Sequence, residues 1–290
     1  MSIVRFDVGL GLEGCHVLVT GSSGAIGSVV VQAFLAAGAH VSGFDIREPG
    51  QKYESDRLHL DIVDVTDEAR LDRAFETARE KFGVITTCIA LAGLDLSYLA
   101  NHSLCDMPLD QWRRTMRVNV DGTFLTCRAW LRGIKSYATT ETRNVSAVVI
   151  GSEAGSLGVS VNAAYSTSKA AIQFGLVRSL ARDVVAIHPR ARVNAVAPGP
   201  VDTPQFRREC ADDPEALWRE SQATVAMKVP VKMEAVARAC LFLVSENFAG
   251  HITGKPLTDH AAILDRQSTI ADGQVIYDAD LGHNRSTAAC

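Results

Sequence analysis

The stretch Cys15-His-Val-Leu-Val-Thr-Gly-Ser-Ser-Gly-Ala-Ile-Gly27 decides the fold class of this chain. Its first six residues are mostly apolar and rich in β-branched side chains, which predicts a short buried strand ending at Thr20. The glycine-rich residues 21–27 follow directly, and apolar residues then recur on one helical face as far as Gly38, a natural left-handed C-terminal cap. The stretch therefore predicts a strand, a tight turn and a helix, which is the first unit of an α/β fold.

The glycine turn predicts a phosphate site. Glycines between a buried strand and a helix N-terminus let the backbone approach a pyrophosphate, whose charge the free N–H groups and the helix dipole stabilise. The residues expected to make this contact are Gly21, Ser23, Ile26 and Gly27. An ordinary tight turn between a strand and a helix is the alternative, so the next strand has to decide between the two.

The second predicted strand, residues 39–45, ends in Asp45, roughly twenty residues beyond the glycines. A carboxylate there can accept both hydroxyls of an adenosine ribose, and it would repel the 2′-phosphate of NADP. Ile46 follows the acid and is not basic, so Asp45 predicts NAD as the cofactor. Arg47 keeps NADP open, and an aspartate that merely ends a strand is the structural alternative.

Further apolar runs predict strands at residues 58–65, 85–93, 146–152 and 191–198, with helical patterns between them. Strands that alternate with helices pair in parallel through right-handed crossovers. The sequence therefore predicts a doubly wound, Rossmann-like parallel sheet in a three-layer α/β/α domain, with ligands beyond the C-terminal ends of the strands.

Two of these strand ends add candidate cofactor contacts. Asp64 and Val65 end the third strand, where Asp64 would meet the adenine or would cap the following helix. Ala92 and Gly93 end the fourth strand, and small residues there allow the backbone to pass close under a bound ring, although an ordinary buried strand explains them equally well.

Tyr165 and Lys169 lie four residues apart in a predicted helix, which places a phenol beside an ammonium on one face. A nearby cation favours the phenolate, so we expect Lys169 to lower the pKa of Tyr165 from ~10 and allow proton exchange with a substrate oxygen near neutral pH. An exposed pair on a solvated helix is the structural alternative, since this pattern is weak by itself.

Three other positions are candidate site residues together with Tyr165 and Lys169. Ser152 ends the fifth strand, close in sequence to the start of the Tyr165 helix. Asn119 lies among apolar neighbours in a helix predicted from about residue 110 to 131, where it requires a polar partner or bonds the backbone. Pro198 opens a turn that runs to Thr203 at the end of the sixth strand.

The composition limits the function classes. The chain has 290 residues, 47% of them hydrophobic, and a net charge of −4, which predicts one large core and no basic surface for nucleic acid or membrane. No apolar run approaches the ~18 residues of a membrane span, and residues 1–10 lack a signal-peptide pattern. The seven cysteines are dispersed, which suggests neither a disulfide framework nor a metal site. We expect a cytoplasmic protein with a small-molecule partner.

From about residue 10 to 259, the sequence resembles the short-chain dehydrogenase/reductase family. The family's T-G-x-x-x-G-x-G is similar to residues 20–27, with Ala25 replacing the middle glycine, and its P-G-x-x-x-T is similar to residues 198–203. Its helix asparagine, serine and Y-x-x-x-K are similar to Asn119, Ser152, Tyr165 and Lys169.

The resemblance implies a role for each matching residue. Tyr165 would be the general acid/base, Ser152 would steady the substrate oxygen, and Lys169 would hold the nicotinamide ribose and lower the tyrosine pKa. Asn119 would position a water in the proton path. The turn after the sixth strand, through Pro198, Val201 and Thr203, would hold the nicotinamide amide. The family commonly forms dimers or tetramers through its long central helices, so a homo-oligomer is expected.

The sequence departs from the family pattern at two places. The family's N-N-A-G is Ala90-Leu-Ala-Gly93 here, which loses two amides that normally brace the central strands and the cofactor. The closing V-D-G-G is missing after residues 252–254, where residues 255–260 stand instead, and residues 273–278 look like a second version of that strand. Either segment could fill the sheet edge.

These observations predict a single dehydrogenase domain over residues 1–260 and a C-terminal extension over 261–290. The irregular stretch 202–233 would be a substrate lid or a solvated surface helix. Candidate substrate contacts are Leu94, Leu96, Glu153, Val159, Asn162, Phe206 and Trp218.

The predicted function is NAD-dependent hydride transfer between nicotinamide and a secondary alcohol or ketone. The alternatives are an NADPH-dependent ketoreductase that uses Arg47, a dinucleotide-binding protein without redox turnover, and an enzyme that uses Tyr165 for dehydration or isomerisation.

Overall fold

A computed structural model describes residues 7–213, 215, 227–259, 269–271 and 274–276 of the chain. Its main sheet has seven parallel strands in the order β3-β2-β1-β4-β5-β6-β7. These strands are β1 (His16–Thr20), β2 (His40–Asp45), β3 (Leu58–Ile62), β4 (Thr87–Ala90), β5 (Ser146–Ile150), β6 (Arg192–Pro198) and β7 (Pro256–Asp259). The predicted doubly wound sheet is therefore confirmed.

Helices connect the strands and cover both faces of the sheet. They are α1 (Ala25–Ala36), α2 (Glu68–Phe82), α3 (Leu109–Met116), α4 (Gly122–Tyr137), α5 (Ala154–Leu157), α6 (Ala163–Ala170), α7 (Val177–Ile187), α8 (Pro204–Asp212), α9 (Met233–Val244) and α10 (Glu246–Ala249). A 3₁₀ turn spans Leu96–Tyr98, and π-helical segments span Arg117–Asp121 and Ala171–Leu176.

Two apolar clusters, one on each face of the sheet, make the three layers. On one face, Leu71 of α2, Trp130 of α4 and Val177 of α7 pack with strand residues. On the other face, Phe34 of α1 and Leu243 of α9 do the same. The chain order reverses between β1 and β4, so the helices on either side diverge there and leave a crevice at the carboxyl ends of the strands.

Of the two segments that could form the last strand, 255–260 and 273–278, the first supplies the edge strand β7. Pro256 pairs with Ala195, and β7 continues in parallel along β6. Proline is tolerated at the first residue of an edge strand because no ladder hydrogen bond is lost there. The second candidate segment lies apart, since Gln274–Ile276 (β9) pairs antiparallel with Thr269–Ala271 (β8) in a separate two-stranded sheet.

The helix predicted over residues 110–131 differs from the one observed. The observed helix runs from Leu109 to Tyr137 and contains the π-helical segment Arg117–Asp121, which includes Asn119. The apolar periodicity predicted the helix, but a local π turn has no comparable sequence signal. None of the helices that the structure describes is both long and apolar enough to cross a membrane.

Candidate active site

The glycine turn after β1 brings two backbone segments into close contact. Gly21 has φ +71°, and a Cβ added there would lie 3.0 Å from the backbone of Ala92. A Cβ on Gly27 would lie 2.0 Å from the carbonyl oxygen of Gly21. Among the described residues no side chain caps the start of α1, and its first turn contains no acidic residue. These features fit a pyrophosphate at the helix N-terminus.

Asp45 ends β2 directly beside this turn. Its Oδ2 accepts a hydrogen bond from the Ser23 N–H at 2.9 Å, and its Oδ1 accepts one from the Arg47 N–H at 3.0 Å. The Asp45 side chain is only 7% exposed, whereas Arg47 is 60% exposed and its Nε lies 3.8 Å from Oδ1. Ile46 is exposed. The carboxylate is thus fixed by the turn and retains acceptor capacity on each oxygen.

Asp64 and Val65 follow β3, which ends at Ile62 and not at residue 65 as predicted. Oδ1 of Asp64 accepts hydrogen bonds from the N–H and the hydroxyl of Thr66, both at 2.8 Å. The alternative that Asp64 caps α2 is wrong, because Asp67 holds the N-cap position and accepts from the Arg70 N–H at 3.0 Å. The side chain of Val65 is buried, so only its backbone is available to a ligand.

Thr20 holds the altered Ala90–Gly93 segment through its side chain. The Thr20 hydroxyl oxygen accepts hydrogen bonds from the N–H groups of Leu91 and Ala92, each at 3.1 Å. The next residue, Gly93, is open to solvent, and a Cβ there would lie 3.7 Å from Nζ of Lys169. The chain after β4 therefore passes close to Lys169 without the two amides.

Asn119 is buried, and its amide bonds the segment after β4. Its Oδ1 accepts from the Leu94 N–H at 2.8 Å, and its Nδ2 donates to the Leu94 carbonyl at 3.1 Å and to the Ser168 hydroxyl at 3.0 Å. This is the backbone-bonding alternative that the sequence left open. A water held by Asn119 stays a prediction.

Ser152, Tyr165 and Lys169 come together at the carboxyl end of β5. The Ser152 side chain is hydrogen-bonded to the Tyr165 phenol, and Nζ of Lys169 lies 5.7 Å from the centre of the Tyr165 ring. Lys169 donates to the carbonyl oxygen of Ile150 at 2.9 Å. Tyr165 and Lys169 are both buried, at 7% and 6% exposure. The alternative of an exposed pair on a solvated helix is therefore wrong.

The pKa values of this pair differ from the expectation. Burial raises the pKa of Tyr165 to about 12; the hydrogen bond with Ser152 lowers it, and the carboxylates of Asp95 and Glu153 raise it further. Burial also lowers the pKa of Lys169 to about 8, although Asp95 opposes this. The expected lowering by Lys169 is not found in this structure: burial has the largest effect on the Tyr165 pKa, and the side chains that act on it are Ser152, Asp95 and Glu153.

The turn after β6 lies against the Ser152 segment. The Pro198 carbonyl accepts from the Glu153 N–H at 2.9 Å, which joins the two strand ends. Val201 forms a parallel bridge with Val231. Thr203 caps α8, since its hydroxyl oxygen accepts from the Phe206 N–H at 3.0 Å. Pro198, Val201 and Thr203 are thus held at the same edge as the glycine turn.

The predicted lid and substrate contacts lie only partly within the described residues. Of the stretch 202–233, the structure describes 202–213, 215 and 227–233, and Trp218 lies outside these ranges. Asn162 is buried, and Leu94, Leu96, Glu153, Val159 and Phe206 are half-buried. The role of each as a substrate contact stays a prediction.

Three residues near the site were missed in the sequence analysis. They are Thr20, Asp95 and Gln173. Gln173 has the clearest signal, because it lies four residues after Lys169 and eight after Tyr165 on the same predicted helix. Within the described residues, no three side chains of histidine, cysteine, aspartate or glutamate are placed to hold a metal ion.

Comparison with known proteins agrees with this geometry. Residues 21–258 match the profile of a family described as enoyl-(acyl carrier protein) reductase. The chain is 31% identical over 256 residues to the 3-oxoacyl-acyl-carrier-protein reductase FabG of Salmonella typhimurium, covering 86% of this chain and 96% of that protein. It is 30% identical over 241 residues to the 2-keto-3-deoxy-L-fuconate dehydrogenase of Xanthomonas campestris, covering 81% of this chain and 75% of that protein.

Solved structures of dehydrogenases also match this chain. The aldohexose dehydrogenase of Thermoplasma acidophilum superposes with a TM-score of 0.73 at 28% identity, covering 86% of this chain and 93% of that one. A glucose/ribitol dehydrogenase of Brucella melitensis superposes with a TM-score of 0.75 at 25% identity, covering 87% and 98%. With the glycine turn, the parallel sheet and the Ser152, Tyr165 and Lys169 cluster, these matches show that the chain belongs to the short-chain dehydrogenase/reductase family of nicotinamide-dependent oxidoreductases.

Proposed function

We propose that the protein is an NAD-dependent dehydrogenase that transfers a hydride between nicotinamide and a secondary alcohol or ketone of a small organic molecule. The observation that carries this proposal is the contact of the Ser152 hydroxyl with the Tyr165 phenol beside Lys169, at the sheet edge that also holds the glycine turn. NAD, when bound, supplies the hydride chemistry.

Each polar side chain has a task in this proposal. Tyr165 exchanges a proton with the substrate oxygen as general acid/base, and Ser152 holds that oxygen by a hydrogen bond. Lys169 holds the nicotinamide ribose and maintains the helix against β5 through Ile150. Asn119 keeps the segment after β4 in place through Leu94.

The remaining cofactor contacts follow the same edge of the sheet. Gly21, Ser23, Ile26 and Gly27 would hold the pyrophosphate, and Asp64, Val65, Ala92 and Gly93 would lie along the adenine side. Asp45 and Ile46 would meet the adenosine ribose, while Pro198, Val201 and Thr203 would meet the nicotinamide.

Asp45 supports NAD over NADP. Its buried carboxylate is held by two backbone N–H groups, so it cannot swing away from a ribose 2′-phosphate and would repel one. An NADPH-dependent ketoreductase is the second candidate, favoured by the exposed Arg47 beside the acid.

A comparison of cofactor affinities separates these two candidates. Calorimetry should give NAD an affinity at least about tenfold higher than that of NADP, and Asp45→Ser should narrow the difference. Tighter binding of NADP by the wild-type protein would favour the NADPH-dependent candidate and exclude our proposal for Asp45.

Charge supports a limited statement on substrates. Asp95 and Glu153 both act electrostatically on Tyr165, so the phenol has negatively charged neighbours. A substrate carboxylate close to the reacting carbon would be repelled by these two protein carboxylates. We therefore expect neutral hydroxylated compounds or amine-bearing alcohols to be better substrates than hydroxy acids, and a panel of both types assayed for NADH formation checks this expectation.

A dinucleotide-binding protein without redox turnover is less well supported. The missing closing motif after residues 252–254 and the C-terminal extension suggested it, but Pro256–Asp259 still forms the edge strand β7 beside β6. A pure binding module would also have no need for Ser152 and Tyr165 in contact. Formation of NADH with any alcohol excludes both this alternative and a dehydratase or isomerase.

The assembly and location are proposals from the family resemblance. A homodimer or homotetramer is expected, and light scattering of the purified protein would measure its mass. We propose a cytoplasmic location because the seven cysteines are spread over the chain without the pattern of a disulfide framework.

A further inference from the structure

The N–H group of Ser152 has no strand partner in the sheet. Gly151 N–H donates to the Val196 carbonyl at 2.8 Å, and Glu153 N–H donates to the Pro198 carbonyl at 2.9 Å, both on the β6 side. Successive residues of a strand alternate in direction, so the Ser152 N–H faces the β4 side. There the pairing with β5 ends at Ala90. This half-buried donor therefore needs an acceptor from outside the sheet.

Gln173 supplies that acceptor. Its Oε1 accepts from the Ser152 N–H at 2.8 Å, and its Nε2 donates to the Ser156 hydroxyl at 3.2 Å. The residue is fully buried, at 0% exposure. The side-chain amide therefore bonds both the candidate catalytic serine and the turn that follows it.

Two glycines provide the space for this amide. A Cβ on Gly151 would lie 2.2 Å from Oε1 of Gln173, and a Cβ on Gly155 would lie 2.9 Å from its Cδ and Nε2. Contacts below 3.0 Å are not tolerated by well-packed side chains. The sequence Gly151-Ser-Glu-Ala-Gly155 is thus shaped to receive the glutamine on both sides of Ser152.

The same helix holds the strand end at three points. Tyr165 bonds the Ser152 hydroxyl, Lys169 bonds the Ile150 carbonyl, and Gln173 bonds the Ser152 N–H. These helix residues are spaced by four, and Gln173 lies in the π-helical segment Ala171–Leu176. A π turn has more residues than an α turn, so Gln173 stays on the same face of the helix as Tyr165 and Lys169. Such π segments are frequent at functional sites.

We propose that Gln173 is a positioning residue for the reaction, which sets the place of Ser152 relative to Tyr165 by holding the Ser152 backbone. This inference rests on the proposed dehydrogenase function. Gln173 acts through Ser152, so its loss displaces the serine hydroxyl and leaves the glycine turn and Asp45 intact. The rate of turnover then falls while NAD binding is retained, because small displacements of a reacting group lower the rate steeply.

The first test is amide hydrogen exchange resolved to single residues in the purified chain. Gln173→Met removes the acceptor at similar volume, and exchange at Ser152 should become about tenfold faster. Exchange at Gly151 and Glu153, which bond β6, should change much less. Gln173→Glu keeps an acceptor and should retain slow exchange at Ser152. Equal exchange at Ser152 in the wild-type and Gln173→Met proteins would overturn the proposal.

The second test separates positioning from a general loss of stability. Gln173→Met should lower kcat for alcohol oxidation at least about tenfold, with the KM for NAD within about threefold of wild type. Ile172→Val is the matched control, because it loosens the same buried turn without touching Ser152. If Ile172→Val loses as much kcat as Gln173→Met, or if Gln173→Met retains full kcat, Gln173 does not position the serine.

The two tests distinguish failure of this inference from failure of the proposed function. If the wild-type protein formed no NADH with any alcohol, the dehydrogenase proposal would be wrong, and a positioning role in that reaction with it. The exchange result at Ser152 would then still report whether Gln173 holds the serine. If NADH forms but the variants behave alike, only the inference about Gln173 is wrong.

Discussion

Lys169 donates a hydrogen bond from Nζ to the carbonyl oxygen of Ile150 at 2.9 Å. Ile150 is the last residue of β5, so this bond joins the helix that carries Tyr165 to the strand that leads to Ser152. Burial lowers the pKa of the ammonium to about 8, because the charged form loses its hydration there. The protein therefore keeps a cation at a place where burial disfavours its charge.

The lowered pKa of Lys169 predicts a pH dependence of stability. The unfolded chain holds the lysine proton up to its ordinary value of 10.5, while the folded protein releases it near 8, so stability rises with pH between these values. Relative to Lys169→Met, the wild-type protein should gain about 3 kcal/mol in unfolding free energy over this window. Urea unfolding from pH 7.5 to 10 measures it, and a constant difference between the two proteins would contradict the buried charge.

Asp95 should control the pH dependence of turnover. Burial is the main cause of the raised pKa of Tyr165, and the carboxylate of Asp95 adds to it. Asp95→Asn removes that charge, so the pKa of Tyr165 falls and the phenolate forms at lower pH. The acidic limb of kcat/KM for alcohol oxidation should move to lower pH, as measured by NADH absorbance. A limb that moves to higher pH would show that Asp95 acts on another group.

His16 predicts a loss of stability in mild acid. Burial lowers its pKa to about 4, although the Gly83 carbonyl opposes this by accepting from Nδ1 at 2.9 Å. The unfolded chain binds the proton near pH 6.5 and the folded protein does not, so stability falls as pH drops from 6.5 towards 4. This group alone should cost about 3 kcal/mol across that window.

The corresponding measurement is chemical unfolding at pH 7 and pH 5. Nε2 of His16 also lies 2.9 Å from the Ser42 hydroxyl oxygen. His16→Gln removes the titrating ring and retains an amide for Gly83 and Ser42, so it should reduce the pH dependence. His59, whose pKa burial also lowers, would leave a residual slope. An unchanged pH dependence in His16→Gln would exclude the histidine as its source.

The sequence predicted the fold best at positions where the backbone conformation or the burial of a strand admits few residue types. The glycines at 21 and 27 and the apolar runs predicted the order of strands and helices, because only these residues satisfy the turn and the buried sheet. Asp45 ends β2 as predicted, whereas Ser152 lies just beyond β5, which ends at Ile150. The identity of the edge strand was left open by the pattern alone, and the pairing of Pro256 with Ala195 answers it.

Quantities that depend on burial were not predictable in this way. The spacing of Tyr165 and Lys169 predicted their proximity, but the depth of the phenol decides the direction of its pKa shift. Likewise, the Thr20 hydroxyl on β1 accepts hydrogen bonds from the segment after β4, and no local pattern indicates that contact. Gln173 had a usable signal in its spacing from Lys169, and the two glycines around Ser152 were a second one.

The most direct test of the proposed function is Tyr165→Phe assayed for NADH formation with a substrate of the wild-type protein. Removing one hydroxyl takes away the proton exchange and leaves the glycine turn, Asp45 and Lys169 in place. Turnover should fall at least about a hundredfold while the affinity for NAD, measured by calorimetry, stays within about threefold. Near-normal turnover by Tyr165→Phe would contradict the assignment of the phenol as general acid/base and, with it, the mechanism proposed for this protein.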